Sequence, residues 1–136
     1  MTDVLTTFGF AWMIVSAALG LVLGAGNEKH GGDLEALARG GRLHEYHQLQ
    51  SAYRHRVTVH AHGFLFSLVC IGVSLAMPKM SYGPTASSIL AWGLISATVI
   101  WTGAGFARIR ALMGLADFVF LISLIATVVG LARSLA

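Results

Sequence analysis

Hydrophobic positions in this chain neither alternate nor recur at a helical spacing; they run together. Apolar stretches cover residues 4–26, 57–78, 80–107 and 111–132. The first and third carry no charge, the second contains His60 and His62, and the fourth holds one ion, Asp117. Crossing a bilayer takes roughly 20 apolar residues. A backbone in lipid must satisfy its own hydrogen bonds, which leaves the helix as the solution for each stretch. The pattern predicts an all-α integral membrane four-helix bundle, a single domain over 1–136, with spans at about 4–26, 57–78, 85–107 and 111–134. The first stretch is expected to be a retained helix. Met1-Thr2-Asp3 supplies no positive flank, and the stretch exceeds the roughly 7–15 apolar residues of a secretory signal.

Polar residues gather between these stretches. The second and third spans are joined by Pro78-Lys79-Met80-Ser81-Tyr82-Gly83-Pro84, a turn with a proline at each end. The third and fourth are joined by Arg108-Ile109-Arg110; connections this short make neighbouring helices antiparallel. The connection 27–56 is expected to be a long, amphipathic, histidine-rich loop lying at the membrane interface. Within it, Asp33-Leu34-Glu35-Ala36-Leu37-Ala38-Arg39 reads as a short helix stopped by Gly40-Gly41, and 43–53 as a second helical stretch leading into the next span.

Composition agrees with a membrane setting: 56% of residues are hydrophobic and 11% charged, against roughly 25% charged in soluble domains. The net charge of +3 rests on few ions. It points to lipid phosphates or a bound anion, and no nucleic-acid partner is expected. Lys29, Arg39, Arg42, Arg54, Arg56, Arg108 and Arg110 lie on one side of the predicted topology, Lys79 and Arg133 on the other. The excess of positive residues assigns loop 27–56 to the cytoplasm and both termini to the outside; the membrane expected is a bacterial inner membrane. Small residues recur in the spans, including the Gly20-Leu-Val-Leu-Gly24 motif, and fit close packing of helices within the chain. Cys70, the single cysteine, fits a small buried hydrophobe.

All six histidines fall between His30 and His62. An imidazole at membrane depth is a candidate functional group, which singles out His60 and His62. Two residues apart on a helix, they are separated by about 200° and face opposite ways. The face of His60 carries Arg56, Gly63, Phe64, Ser67, Ile71 and Ser74. That set suits a flat macrocycle: Gly63 would clear space, Phe64 would pack on it, and Arg56 would pair with a propionate at the membrane edge. Neutral imidazole is an ordinary axial ligand of haem iron, so His60 is the first candidate ligand and His62 the alternative. The face of His62, with His55, Phe66, Val69 and Val73, reads as a packing seam. His44 and His47, with Glu45 and His30 nearby, fit either a zinc or copper site or solvated interfacial histidines. Asp117 fits a salt bridge to Arg108 or Arg110, or proton or substrate handling within the membrane.

Val57-Thr-Val-His60-Ala-His62-Gly-Phe-Leu-Phe, running on to Pro78, resembles the haem-ligating second helix of haem–copper oxidase and nitric oxide reductase main subunits. Over most of its length the chain is similar to the styrene oxide isomerase family: small four-helix membrane enzymes that form trimers and bind haem b between subunits. The resemblance is carried by His60 ahead of Pro78, by Trp101-Thr-Gly-Ala-Gly105-Phe106 in the third span, and by Asp117-Phe118-Val119-Phe120 in the fourth. Phe66 stands where the family has an asparagine, and Ala107 where it has a tyrosine. The resemblance implies a haem b homo-oligomer, a trimer first of all. Its axial ligand would be His60, and Phe64, Phe66, Trp101, Gly105 and Phe106 would surround the cofactor. Ferric haem would then act as a Lewis acid that opens a small apolar epoxide to an aldehyde. Two rival functions stand beside it. One is a haem electron carrier or accessory subunit of a respiratory complex, with a second histidine or Met80 or Met113 on the iron. The other is a non-haem metal-binding membrane protein using the histidines of 27–56.

Overall fold

A computed structural model describes residues 1–135, and every element in it is helical. Helices α1 (Thr2–Ala25), α2 (Asn27–Arg39), α3 (Leu43–Ala76), α4 (Pro84–Ala107) and α5 (Arg110–Arg133) follow in order, with a 3-10 turn at Met77–Lys79. Four of these, α1, α3, α4 and α5, are long and apolar enough to cross a membrane.

Both helical stretches expected inside the connection 27–56 are present, and they leave almost no loop. The first is α2, which begins already at Asn27, and the second is continuous with the second span, so α3 is a single helix of 34 residues. No proline or glycine interrupts 43–62, so nothing in the backbone stops a helix started at Leu43 from running into the span. Gly41 ends α2 by taking φ 67°. Arg42 N–H then reaches the Leu37 carbonyl at 3.0 Å and Gly41 N–H the Ala38 carbonyl at 3.1 Å, the paired bonds that close a helix through a left-handed glycine.

α1 lies antiparallel on α3, and the contacts keep one register from end to end. Thr6 donates to Ser74 Oγ at 2.8 Å. A β-carbon added to Gly9 would stand 2.6 Å from Ile71, and one added to Gly20 would stand 2.7 Å from the His60 ring. Lipid offers no hydrophobic drive to join helices, so notches of this kind, which let backbones approach, hold such pairs together. Gly24, the other end of the motif, has open space beside it. α3 meets α4 through Gly105 against Val59 and Thr102 against Gly63. α4 meets α5 through Gly93 against Ser123, and α5 reaches α3 where Phe120 lies on Phe66, with centroids 4.2 Å apart. Cys70 is buried as expected, with Sγ 3.8 Å from Thr98 Oγ1. At the end opposite α2, Tyr82 seats against Gly130 and donates to the Ala126 carbonyl at 2.7 Å, fixing the turn between α3 and α4 on α5.

Candidate functional site

The two membrane histidines take different environments. His60 lies over Gly20, with its Nε2 edge turned towards α1. Its Nδ1 is buried and, among the described residues, has no hydrogen-bond partner. The slot expected beside His60 and Gly63 is filled: a β-carbon at Gly63 would meet Ser16 Oγ at 3.3 Å and Thr102 Oγ1 at 3.5 Å. Gly63 therefore admits two neighbouring helices rather than a macrocycle. Phe64, Arg56 and Phe106 are exposed, and Gly105 is closed by Val59.

His62 is held on three sides. Its Nδ1 is 2.9 Å from the Thr58 carbonyl. A carbonyl accepts, so Nδ1 carries the proton and Nε2 keeps its lone pair. The ring stacks on buried Trp101 of α4, centroids 4.8 Å apart and planes at 22°, with Phe66 edge-on at 6.1 Å. Trp101 and Phe66 are themselves in edge contact at 5.3 Å. The seam expected on this face is present, yet His62 remains partly exposed. An imidazole fixed through Nδ1–H to a carbonyl, with Nε2 free, is the arrangement that orients a metal-ligating histidine.

Further along α3 the remaining polar groups converge. His44, His47 and His55 line a cavity of about 680 Å³ with Gln48, Ser51, Ala52, Arg108, Arg110 and Met113. Gln48 Nε2 donates to His44 Nε2 at 2.9 Å, which leaves the His44 proton on Nδ1. His55 donates from Nε2 to the Gly105 carbonyl at 2.8 Å. The same carbonyl accepts the Arg108 amide at 3.1 Å, and Ile109 N–H reaches Ala104 O at 2.8 Å. Arg108 thus occupies the glycine position of a helix-closing turn, with φ 60° and ψ 32°. A left-handed residue with a side chain costs about 1–2 kcal/mol. No acid lines this cavity. Glu45 is engaged by Arg42, and its hydrogen bond and charge hold the Arg42 guanidinium above its ordinary value.

Other expected placements differ. Asp117 forms no salt bridge with Arg108 or Arg110; it is exposed on α5, and among the described residues it enters no ion pair. Its separation from the arginines explains this: Arg110 lies seven residues away on the same helix, about 10.5 Å along the axis. His30 stacks on Tyr53 at 4.0 Å, away from His44 and His47. Among the described residues no group of three histidine, cysteine or acidic side chains is placed to hold a metal ion. Met80 is buried in the turn after α3, whose last residue, Ala76, already lies 14 residues and about 21 Å along the axis from His62. Sequence reasoning left Gln48 and Ser51 out of the candidate residues and took Arg110 only as a partner for Asp117, although Gln48, Ser51, His55 and His62 share one face of α3.

Fold and site together define a helical membrane protein with an oriented histidine at membrane depth and a cationic cavity beyond one end of the spans. Comparison with protein-family models, with curated proteins and with solved structures found no match in any of the three.

Proposed function

We propose that this chain is a membrane haem b-binding protein whose axial ligand is His62. The observation that carries the reading is the hydrogen bond from His62 Nδ1–H to Thr58 O, which leaves Nε2 as a free donor on a ring backed by Trp101. His60, partly exposed like His62, suits the role less well, because its Nε2 edge lies against Gly20 of α1. The fit of a macrocycle is one-sided. Trp101 and Phe66 form a floor beneath His62, and the ring opens on the surface of the chain. The opposite wall would come from a second copy, in keeping with a homo-oligomer, a trimer first of all. When bound, haem would supply a ferric Lewis acid or a one-electron couple.

The chain's own residues do the rest. Thr58 O fixes the tautomer of His62 and raises the basicity of Nε2. Trp101 and Phe66 hold the ring against rotation and keep water from one side of it. Met80 is too distant to serve as a second ligand within the chain; an open sixth position would support the isomerase reading, and a second ligand from Met113 or from a histidine of another copy would support electron transfer. This reading carries with it a cytoplasmic α2 and a small apolar substrate arriving through the lipid.

The test is a visible spectrum of the protein purified from cells supplied with haem precursor. A Soret band is expected in the wild type and in His60→Ala, and is lost in His62→Ala. An aryl epoxide should perturb the ferric band and yield an aldehyde without net electron transfer. A wild type without the band, or a band kept in His62→Ala and lost in His60→Ala, would overturn the assignment.

A further inference from the structure

We propose that the cavity between α3 and the α4–α5 turn is a binding site for a phosphate group, a reading independent of any haem. Arg108 and Arg110 bring two guanidinium groups to its wall, and neither enters an ion pair among the described residues. The adjoining cavity shares His47, Ser51 and His55 and adds Arg54, again without an acid. The nearest acid in sequence to His44, Glu45, is held by Arg42. Two cavities with this much positive charge and no carboxylate in their walls call for an anion.

The donors are built into place. α5 starts at Arg110, itself a lining residue, so the end of the helix at which an anion is favoured borders the cavity. Arg108 closes α4 in the left-handed region, and this sets where its side chain leaves the turn. His55 acts as a positioning residue: through Gly105 O it ties α3 to the turn that aims Arg108. Guanidinium pairs match the oxygens of a phosphate through forked hydrogen bonds. A volume of about 680 Å³ leaves room for more than the phosphate itself. The site lies just beyond the membrane spans, so the phosphate has two possible sources: an anionic lipid headgroup or a soluble phosphate compound.

The experiment uses the full chain in nanodiscs, either of neutral phosphatidylcholine or of phosphatidylcholine with phosphatidylglycerol. Calorimetry with inorganic phosphate in the neutral discs reads the soluble source. Native mass spectrometry of lipid retained from the mixed discs reads the lipid source. Binding in at least one arm is expected, weakened about tenfold or more in Arg108→Gln and Arg110→Gln. Arg133→Gln, at the other end of α5, should match the wild type. Phosphate binding in the calorimeter assigns a soluble ligand, and retention of phosphatidylglycerol alone assigns the lipid; both support the site. No binding in either arm by folded wild type overturns it. So does equal weakening by Arg133→Gln, or unchanged binding in both Arg108→Gln and Arg110→Gln.

Discussion

At Gly20 the absence of a single methyl group decides where the His60 ring can lie, while the close approach of α1 to the α3 backbone is made at Gly9, where a β-carbon would stand 3.1 Å from Ser67 O. The His60 ring occupies the space a β-carbon would need, whereas Gly24 has nothing within 4 Å. Gly20→Val is therefore expected to destabilise the helix pair by about 1–3 kcal/mol through overpacking, and Gly24→Val to leave it unchanged. Thermal unfolding in detergent checks both, and equal midpoints for the two variants would show that the notch has no structural weight. The GxxxG motif was legible in the sequence, but not which glycine works, because that depends on which residue of α3 lies opposite. The same holds for the histidines. Spacing alone showed that His60 and His62 face opposite ways; it did not reveal that α1 covers the first and Trp101 backs the second. For Asp117 the sequence offers a salt bridge or proton or substrate handling; its distance from Arg110 removes that pairing, and among the described residues it enters no ion pair.

Among the elements, α3 shows what hydropathy leaves out. Hydropathy marks where lipid begins, not where a helix ends; the helical stretch at 43–53 is legible in the sequence, but not that it joins the span in one unbroken helix of 34 residues. The face joining His44, Gln48, Ser51, His55 and His62 was present in the sequence once the helix is taken as unbroken from Leu43. The turn between α4 and α5 gives a prediction of its own. Replacing Arg108 by glycine removes a side chain from a left-handed position, so Arg108→Gly is expected to stabilise the fold by about 1 kcal/mol while weakening phosphate binding. Unfolding midpoints and calorimetry read the two effects separately. A variant that loses stability would show that the Arg108 side chain contributes more to the turn than its backbone strain costs.

For the molecule as a whole, the four spans were legible from length and polarity, whereas their arrangement was not. Much of α1 and α5 faces outward: Leu21 is 77% exposed and Phe118 60%. Lipid or further copies of the chain can cover such faces equally well, which is why composition alone sets no oligomer number. The one-sided setting of His62 does favour an assembly. Native mass spectrometry from detergent is expected to give a homo-oligomer, with a trimer as the leading form, and haem retained in the oligomer rather than in a dissociated chain. A monomer that keeps haem would count against a shared site. The unbroken course of α3 has a mechanical consequence as well. His44 and His62 ride on one rod, about 27 Å apart along its axis. Pivoting that rod by about 10° at the depth of His62 would carry His44 sideways by roughly 5 Å over such a length. A tilt too slight to shift the imidazole at the pivot would thus be written several ångströms wide at the far end of α3, beyond the spans.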